Sequence, residues 1–267
     1  MVIAVGWIFA QAYNSPIILY VAVIISVTQA LIGYYSGDKI ALAVSGAKEI
    51  HKKDNPRLWR IVENLSITAG LPMPKVYIIQ DPAPNAFATG KDPKTSSLAV
   101  TSGLLDIMED NELEGVVAHE LSHIGNYDIR LMTLVVVLVG IIALVSDIFI
   151  RIRFWGFGDD NNNSNGPMIL LGILAAIVAP IVATLVQLAI SRKREFLADS
   201  TGSLLTRYPE GLASALEKIG KYTRPMQKTS SATSHLYIAN PFGKESYISK
   251  IFSTHPPIAE RIKMLRG

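Results

Sequence analysis

Residues 116–125 read Val-Val-Ala-His-Glu-Leu-Ser-His-Ile-Gly, and what this stretch needs around it decides the fold. On an α-helix, side chains four apart stack on one face, so His119 and His123 can chelate a single ion. Glu120 sits beside the first of them and can accept a proton from a water held by that ion. The chain has five histidines and, by count, eleven glutamates. That composition produces His-Glu-x-x-His by chance well under about one time in a hundred. Apolar neighbours on both sides place these polar groups in a semi-buried setting.

A catalytic zinc site has three protein ligands and keeps one position open, so the third ligand must come from elsewhere. There is no cysteine, which excludes thiolate ligands, cysteine nucleophiles and disulfides together. The remaining histidines are His51, His235 and His255. Downstream, Arg194-Glu-Phe-Leu-Ala-Asp199 places Glu195 and Asp199 four apart on one helical face. That spacing suits one carboxylate on a metal and the other on a ligand imidazole, where it fixes the tautomer. An ordinary helix also carries this spacing, so the residues alone leave the assignment open.

Further out, hydropathy takes over. Hydrophobic residues make up 49% of the 267 and charged ones 18%, with a mean hydropathy of +0.32. A soluble domain carries roughly 25% charged residues. No charge occurs between Val2 and Gly37, and residues 16–35 are long enough to cross about 30 Å of hydrocarbon. The piece before Asn14-Ser15-Pro16 is too short to cross alone and suits a re-entrant arm or a shortened span. A cleaved signal peptide is disfavoured, because a basic start and a small-residue cleavage site are missing. Two more apolar stretches, 131–150 and 167–190, flank a polar Asn/Gly/Asp loop and together predict a transmembrane hairpin. Pro180 would bend its second helix, which neighbouring helices tolerate in a membrane.

The intervening segments predict a mainly α fold with a small β-sheet. Asn55, Pro56 and Gly70 mark the ends of a helix over 55–70. PKVYIIQD and SLAVTSG predict strands joined by a Pro/Asn/Gly-rich turn through Pro82, Pro84, Asn85 and Gly90. Residues 103–126 predict helix with a second start at Asp110-Asn111, where Asn111 and Glu114 could form a capping box. Helices are also predicted over 191–222 and about 257–266, and 226–249 is poorly patterned. The division is an N-terminal membrane segment (1–37), a first protease part (38–130), the hairpin (131–190) and a second protease part (191–267).

With its motifs in place, the chain resembles the HtpX family of membrane metallopeptidases, related to the CAAX prenyl endopeptidases. The resemblance rests on His119–His123, on Ser191-Arg-Lys-Arg-Glu-Phe-Leu-Ala-Asp-Ser-Thr-Gly202, on Pro84–Gly90, and on Ser253-Thr-His-Pro-Pro257 with Arg261. It covers the chain from about residue 30 to the end. The family usually shows two full N-terminal spans and here the first is shortened, which leaves the number of crossings there open. The resemblance implies a zincin-like (gluzincin) domain with one Zn2+ on His119, His123 and Glu195, and Glu120 as general base. It implies Asp199 bonded to a ligand histidine or to Arg261. It places His255 on the open side of the metal, as oxyanion stabiliser or as a fourth position in a resting state. It lays Asn85, Ala86 and Phe87 along the substrate cleft. The Ser97–Thr101 strand is expected to offer an edge for an extended peptide.

Topology follows from these ligands. One ion cannot be shared across a bilayer, so the crossings between His123 and Glu195 must be even in number, and two fit. Residues 191–267 carry 13 basic and 6 acidic side chains. Beside apolar spans, such a tail favours an anionic membrane surface over nucleic acid. The basic residues outside the hairpin put their side in the cytoplasm, opposed only by Arg151 and Arg153 in the hairpin loop. His123 lies about eight residues before one span and Glu195 about five after the other, or roughly 12 Å and 7 Å of helix. The expectation is a multi-pass cell-membrane zinc endopeptidase acting on membrane or unfolded polypeptides at the cytoplasmic surface, without nucleic acid. The rivals are a prenyl-protein endopeptidase, which needs a chamber of more helices, and a non-enzymatic membrane scaffold with structural zinc. The scaffold would leave Glu120 without a task and would close its site with four ligands.

Overall fold

The computed structural model describes residues 3, 6, 7, 10, 11, 14–137, 192–228, 230, 232–243 and 256–267. Most of the expected hairpin and His255 lie outside the described residues. Helix α1 spans Pro16–Ser45, starts on its proline after Ser15, and ends on Gly46 in the left-handed conformation. It therefore runs ten residues beyond the expected 16–35 and bends by 46° between Thr28 and Leu31. Among the described residues no single unbent helix is long and apolar enough to cross a bilayer, while the two halves of α1 together reach that length. Its apolar side chains stand exposed, Ile17 by 68% and Ile24 by 65%. The N-terminal arm folds back so that Gly6 meets Ala22.

Strand β1 (Ala47–Glu49) leads to helix α2 (Pro56–Ala69). Asn55 caps α2 by accepting from the Leu58 N–H at 2.9 Å, and Gly70 closes it in the left-handed region, both as the sequence predicts. Strands β2 (Lys75–Ile79), β3 (Ala86–Thr89) and β4 (Ser97–Thr101) complete a sheet of order β1-β2-β4-β3. β2 and β4 are parallel, and β1 and β3 run antiparallel to their neighbours. The expectation of an open edge at Ser97–Thr101 is corrected here. That strand is paired on both sides, and β3 lies at the sheet's edge instead.

The stretch 103–126 forms helix α3 (Ser102–Ile107) and helix α4 (Asp110–Gly125), the second beginning at the expected second start. Arg57 fills the break, donating to the Leu105 and Met108 carbonyls at 3.1 and 2.6 Å and pairing with Asp110. The capping box sits at Glu109 and Glu112, not at Asn111 and Glu114. The Glu109 N–H donates to the Glu112 carboxylate at 2.8 Å, and Lys218 also anchors that carboxylate. Helices α5 (Arg192–Thr206) and α6 (Pro209–Lys221) split one expected helix, at Arg207 with φ +54 and just before Pro209. Helix α7 (Ile258–Arg266) closes the chain.

α4 is buried nearly all round, as a central helix must be. Leu113, Val116, Val117, Leu121 and Ile124 pack with Leu58 and Val62 of α2, Leu98 and Val100 of β4, and Leu212 and Leu216 of α6. The histidines of α4 are therefore held by core packing on every side. Beyond α4, the turn at Asn126-Tyr127 leads into helical residues 128–137. These lie close to α1: a Cβ added to Gly33 would come within 3.0 Å of Val137, and one on Gly37 within 2.7 Å of Thr133. Glycines four apart at a helix contact let backbones approach in this way.

Candidate metal centre

Three elements converge on one point. α4 supplies His119, Glu120 and His123, α5 supplies Glu195 with Asp199 one turn further on, and α7 supplies Arg261. α5 reaches α4 because position 202 is glycine: a Cβ there would lie 2.9 Å from the His119 amide nitrogen. Any side chain would push Glu195 away from the histidines.

The donor atoms of His119, His123 and Glu195 lie within 4.8 Å of one another, all buried. The two Nε2 atoms are 3.2 Å apart. Glu195 Oε1 is 3.5 Å from His123 Nε2, and Oε2 is 3.8 Å from His119 Nε2. A tetrahedral zinc with ligands at about 2.0–2.1 Å has edges of roughly 3.3 Å. The separations between these residues are of that order, and a donor set of two imidazoles and a carboxylate suits zinc. The residues present fit the metal.

Each histidine is oriented from behind. His119 Nδ1 lies 2.9 Å from Asp199 Oδ1, and Arg261 grips that carboxylate with two bonds, Nε to Oδ2 at 2.9 Å and Nη2 to Oδ1 at 2.6 Å. His123 Nδ1 lies 3.0 Å from Asp128 Oδ2, and Arg194 Nη1 donates to Asp128 Oδ1 at 2.9 Å. In both cases the carboxylate accepts a hydrogen bond from Nδ1–H and leaves Nε2, unprotonated, to face the shared point. Asp199 thus bonds both of the groups that the sequence offered as alternatives.

Asp128 was not singled out from the sequence. It stands five residues after His123, and in a continued helix that spacing points about 140° away. The turn supplies the contact: Tyr127 takes φ +61 and sends the chain back so that Asp128 reaches His123. A bulky residue in that conformation is uncommon, and only the fold reveals it.

The surroundings push like groups in opposite directions. Burial, with the nearby Arg261 charge, lowers His119 to about 4. At His123 burial opposes the charge, but Asp128, Glu195 and Glu120 outweigh it and raise the ring to about 9. Burial, reinforced by Glu195, raises Glu120 to about 7, and the Ala88 backbone amide bonds to its carboxylate. Asp199 is held down to about 2, against burial, by its bonds to His119 and Arg261. A buried carboxyl raised in this way beside two histidines can exchange a proton near neutral pH.

Other predicted residues fall differently. Asn85, Ala86 and Phe87 are fully buried. Asn85 clamps the backbone of Ala239 through both ends of its amide, at 2.9 and 3.2 Å. The Ile238 N–H donates to the Ala86 carbonyl at 2.9 Å on the outer side of β3. Arg261 Nη1 in turn donates to the Ile238 carbonyl at 3.3 Å. The segment around Ile238 therefore lies between the sheet edge and the metal-side arginine. His51 is exposed on the surface, and the buried His235 bonds the Met132 carbonyl at 2.9 Å, away from the donor cluster.

Known proteins resemble this chain over most of its length. The model for peptidase family M48 matches residues 52–267. A protease HtpX homolog of Tropheryma whipplei (strain Twist) is 53% identical over 237 residues, covering 89% of this chain and 81% of its own. Another, from Caldanaerobacter subterraneus subsp. tengcongensis, is 50% identical over 271 residues, covering 99% and 89%. One from Listeria monocytogenes (strain HCC23) is 44% identical over 276 residues, covering 99% and 90%. Among solved structures, Ste24p of S. mikatae matches with a TM-score of 0.55 at 19% identity, over 100% of this chain and 62% of that one. At that identity the likeness is one of fold. With the family model matching most of its length and these proteases as relatives, the chain belongs to peptidase family M48 and is a metalloprotease.

Proposed function

We propose that this metalloprotease is a membrane-embedded zinc endopeptidase that works where the bilayer meets the cytoplasm. One zinc is held by His119, His123 and Glu195, and Glu120 carries the proton. The observation that carries the reading is the buried donor cluster, with the two Nε2 atoms 3.2 Å apart and a Glu195 oxygen 3.5 Å from one and 3.8 Å from the other. When bound there, zinc supplies Lewis-acid polarisation of the scissile carbonyl and lowers the pKa of water. Glu120 takes the proton of the attacking water and returns it to the leaving amine. Asp199 and Asp128 hold the imidazoles in the tautomer that frees Nε2. By the family resemblance His255 stabilises the oxyanion.

The membrane part rests on the exposed apolar flank of α1 and on the close glycine contact between α1 and residues 133–137. It also rests on the even number of crossings that the ligands require and on the basic excess after residue 190. The zinc then lies within about one or two helical turns of the interface, by the 12 Å and 7 Å estimates above. Substrates are membrane or unfolded polypeptides, and a quality-control role follows from the family resemblance. A cleft along Asn85, Ala86 and Phe87 requires the segment around Ile238 to leave β3.

Digestion of casein and of a membrane-protein substrate by the full chain, with and without chelator, tests the reading. Cleavage should stop with chelator and in Glu120→Gln, a variant that keeps its zinc. Proteolysis surviving in Glu120→Gln would contradict the mechanism.

A further inference from the structure

Three of the places where the chain passes between apolar and charged sequence line one cavity. On α1 the charge-free stretch ends at Gly37, and Gly33 and Tyr34 form one wall. The second apolar stretch begins at Leu131, and Arg130, Leu131 and Leu134 form another. The third apolar stretch ends at residue 190, and Arg194 contributes from α5. Lys91 closes the cavity from the loop after β3. Its volume is about 420 Å³, within the range of roughly 300–1,000 Å³ of small-ligand sites.

Its lining has two characters. Lys91, Arg130 and Arg194 bring three positive charges, and among the described residues neither Lys91 nor Arg130 has a carboxylate within 4.0 Å. Tyrosines hold them instead: Lys91 Nζ lies 5.5 and 5.2 Å from the rings of Tyr34 and Tyr35, and the Arg130 guanidinium lies 5.3 Å from that of Tyr127. Arg130 Nε donates to the Lys91 carbonyl at 2.8 Å, and Thr133 Oγ1 bonds Gly90, so the two cations are fixed relative to each other. Leu131 and Leu134 add apolar lining, Leu134 one helical turn beyond Arg130. Cations beside apolar side chains, with tyrosines at the same level, match a phosphate on an acyl chain.

We infer that this cavity binds an anionic phospholipid, its phosphate on Lys91, Arg130 and Arg194 and its chain along Leu131 and Leu134. The inference rests on the membrane reading above. It also links lipid to metal, because Arg194 is the residue that holds Asp128 against His123.

The test uses the purified full chain in detergent, with phosphatidylglycerol retention read by native mass spectrometry. Phosphatidylcholine and glycerol phosphate serve as comparators. Phosphatidylglycerol should be retained on the order of tenfold better than phosphatidylcholine. Lys91→Gln/Arg130→Gln should erase that preference and leave casein cleavage in lipid-free detergent unchanged. Should the double variant misfold, Lys91→Gln alone removes no hydrogen bond and should cost roughly fivefold. Equal retention of the two lipids, or full retention in the variants, would overturn the inference. Glycerol phosphate binding as well as the lipid would assign the cavity to a soluble phosphate and overturn the lipid assignment. Flotation with neutral phosphatidylcholine vesicles separates the two levels of the claim. A chain that does not float defeats the membrane reading and the lipid site together, whereas one that floats without a preference for phosphatidylglycerol defeats the site alone.

Discussion

Both histidines of the motif are held by the same kind of arm, a carboxylate backed by an arginine, but the arms end in different surroundings. Behind His119, Asp199 is gripped by two bonds from Arg261, whose side chain is 0% exposed. Behind His123, Asp128 takes one bond from Arg194, whose side chain is 40% exposed and borders the cavity at the apolar boundary. The contrast extends to charge: Arg261 helps to hold His119 low, while three carboxylates raise His123. The inner arm is part of the core and fixes the geometry once, during folding. The outer arm ends at the cavity, where Arg194 is open to solvent.

The largest effect should come from breaking the inner arm. Arg261→Leu takes the charge partner from the buried Asp199 and leaves it only its bond to His119, a loss of about 3–5 kcal/mol where a buried ion-pair partner is removed. Thermal unfolding of the purified chain reads it, and an unchanged melting temperature would show that the fork is not part of the core. Asp128→Asn keeps shape but loses the charge that orients His123, and zinc affinity should fall roughly 10- to 100-fold. Competition with a fluorescent chelator measures that loss. If Asp128→Asn bound zinc as tightly as the parent, the outer arm would have no role at the metal.

Arg194→Gln should have a smaller effect, a few-fold in zinc affinity, because a half-exposed pair is screened by solvent and salt. Its defect should shrink relative to the parent as ionic strength rises. The smallest change is expected at Arg266, which ties α7 to Glu210 and Glu217 of α6 at the surface. Both carboxyls are lowered below their ordinary 4.5, first of all by Arg266. Their stabilisation is therefore present above about pH 4.5 and is lost as pH falls through the lowered values. Arg266→Gln should lower the melting temperature slightly at neutral pH, and the gap to the parent should close in acid. Zinc affinity should not change, since Arg261 keeps its own contacts.

How far the sequence reached depends on the range of the cause. Local chemistry was legible: Asn55 and Gly70 bound α2, and His119, Glu120 and His123 share a helix whose apolar flanks bury it. Strand β3 was hidden, because four residues with two alanines carry little strand preference and its partners in β4 lie eight to fourteen residues on. The second start at Asp110 was legible, but its partner was not, since Arg57, more than 40 residues upstream, fills the break. In the site, Glu195, Asp199 and Arg261 came through the family resemblance. Helical spacing offered the two carboxylates without deciding their roles. Asp128 gave no signal, because a left-handed turn at Tyr127 makes its contact.

The account stands most directly on zinc stoichiometry in the purified full chain and two variants. One zinc per chain should be found in the parent and in Glu120→Gln, and almost none in Glu195→Ala after dialysis against a weak chelator. A Glu195→Ala protein that kept its full zinc would contradict the three-residue centre.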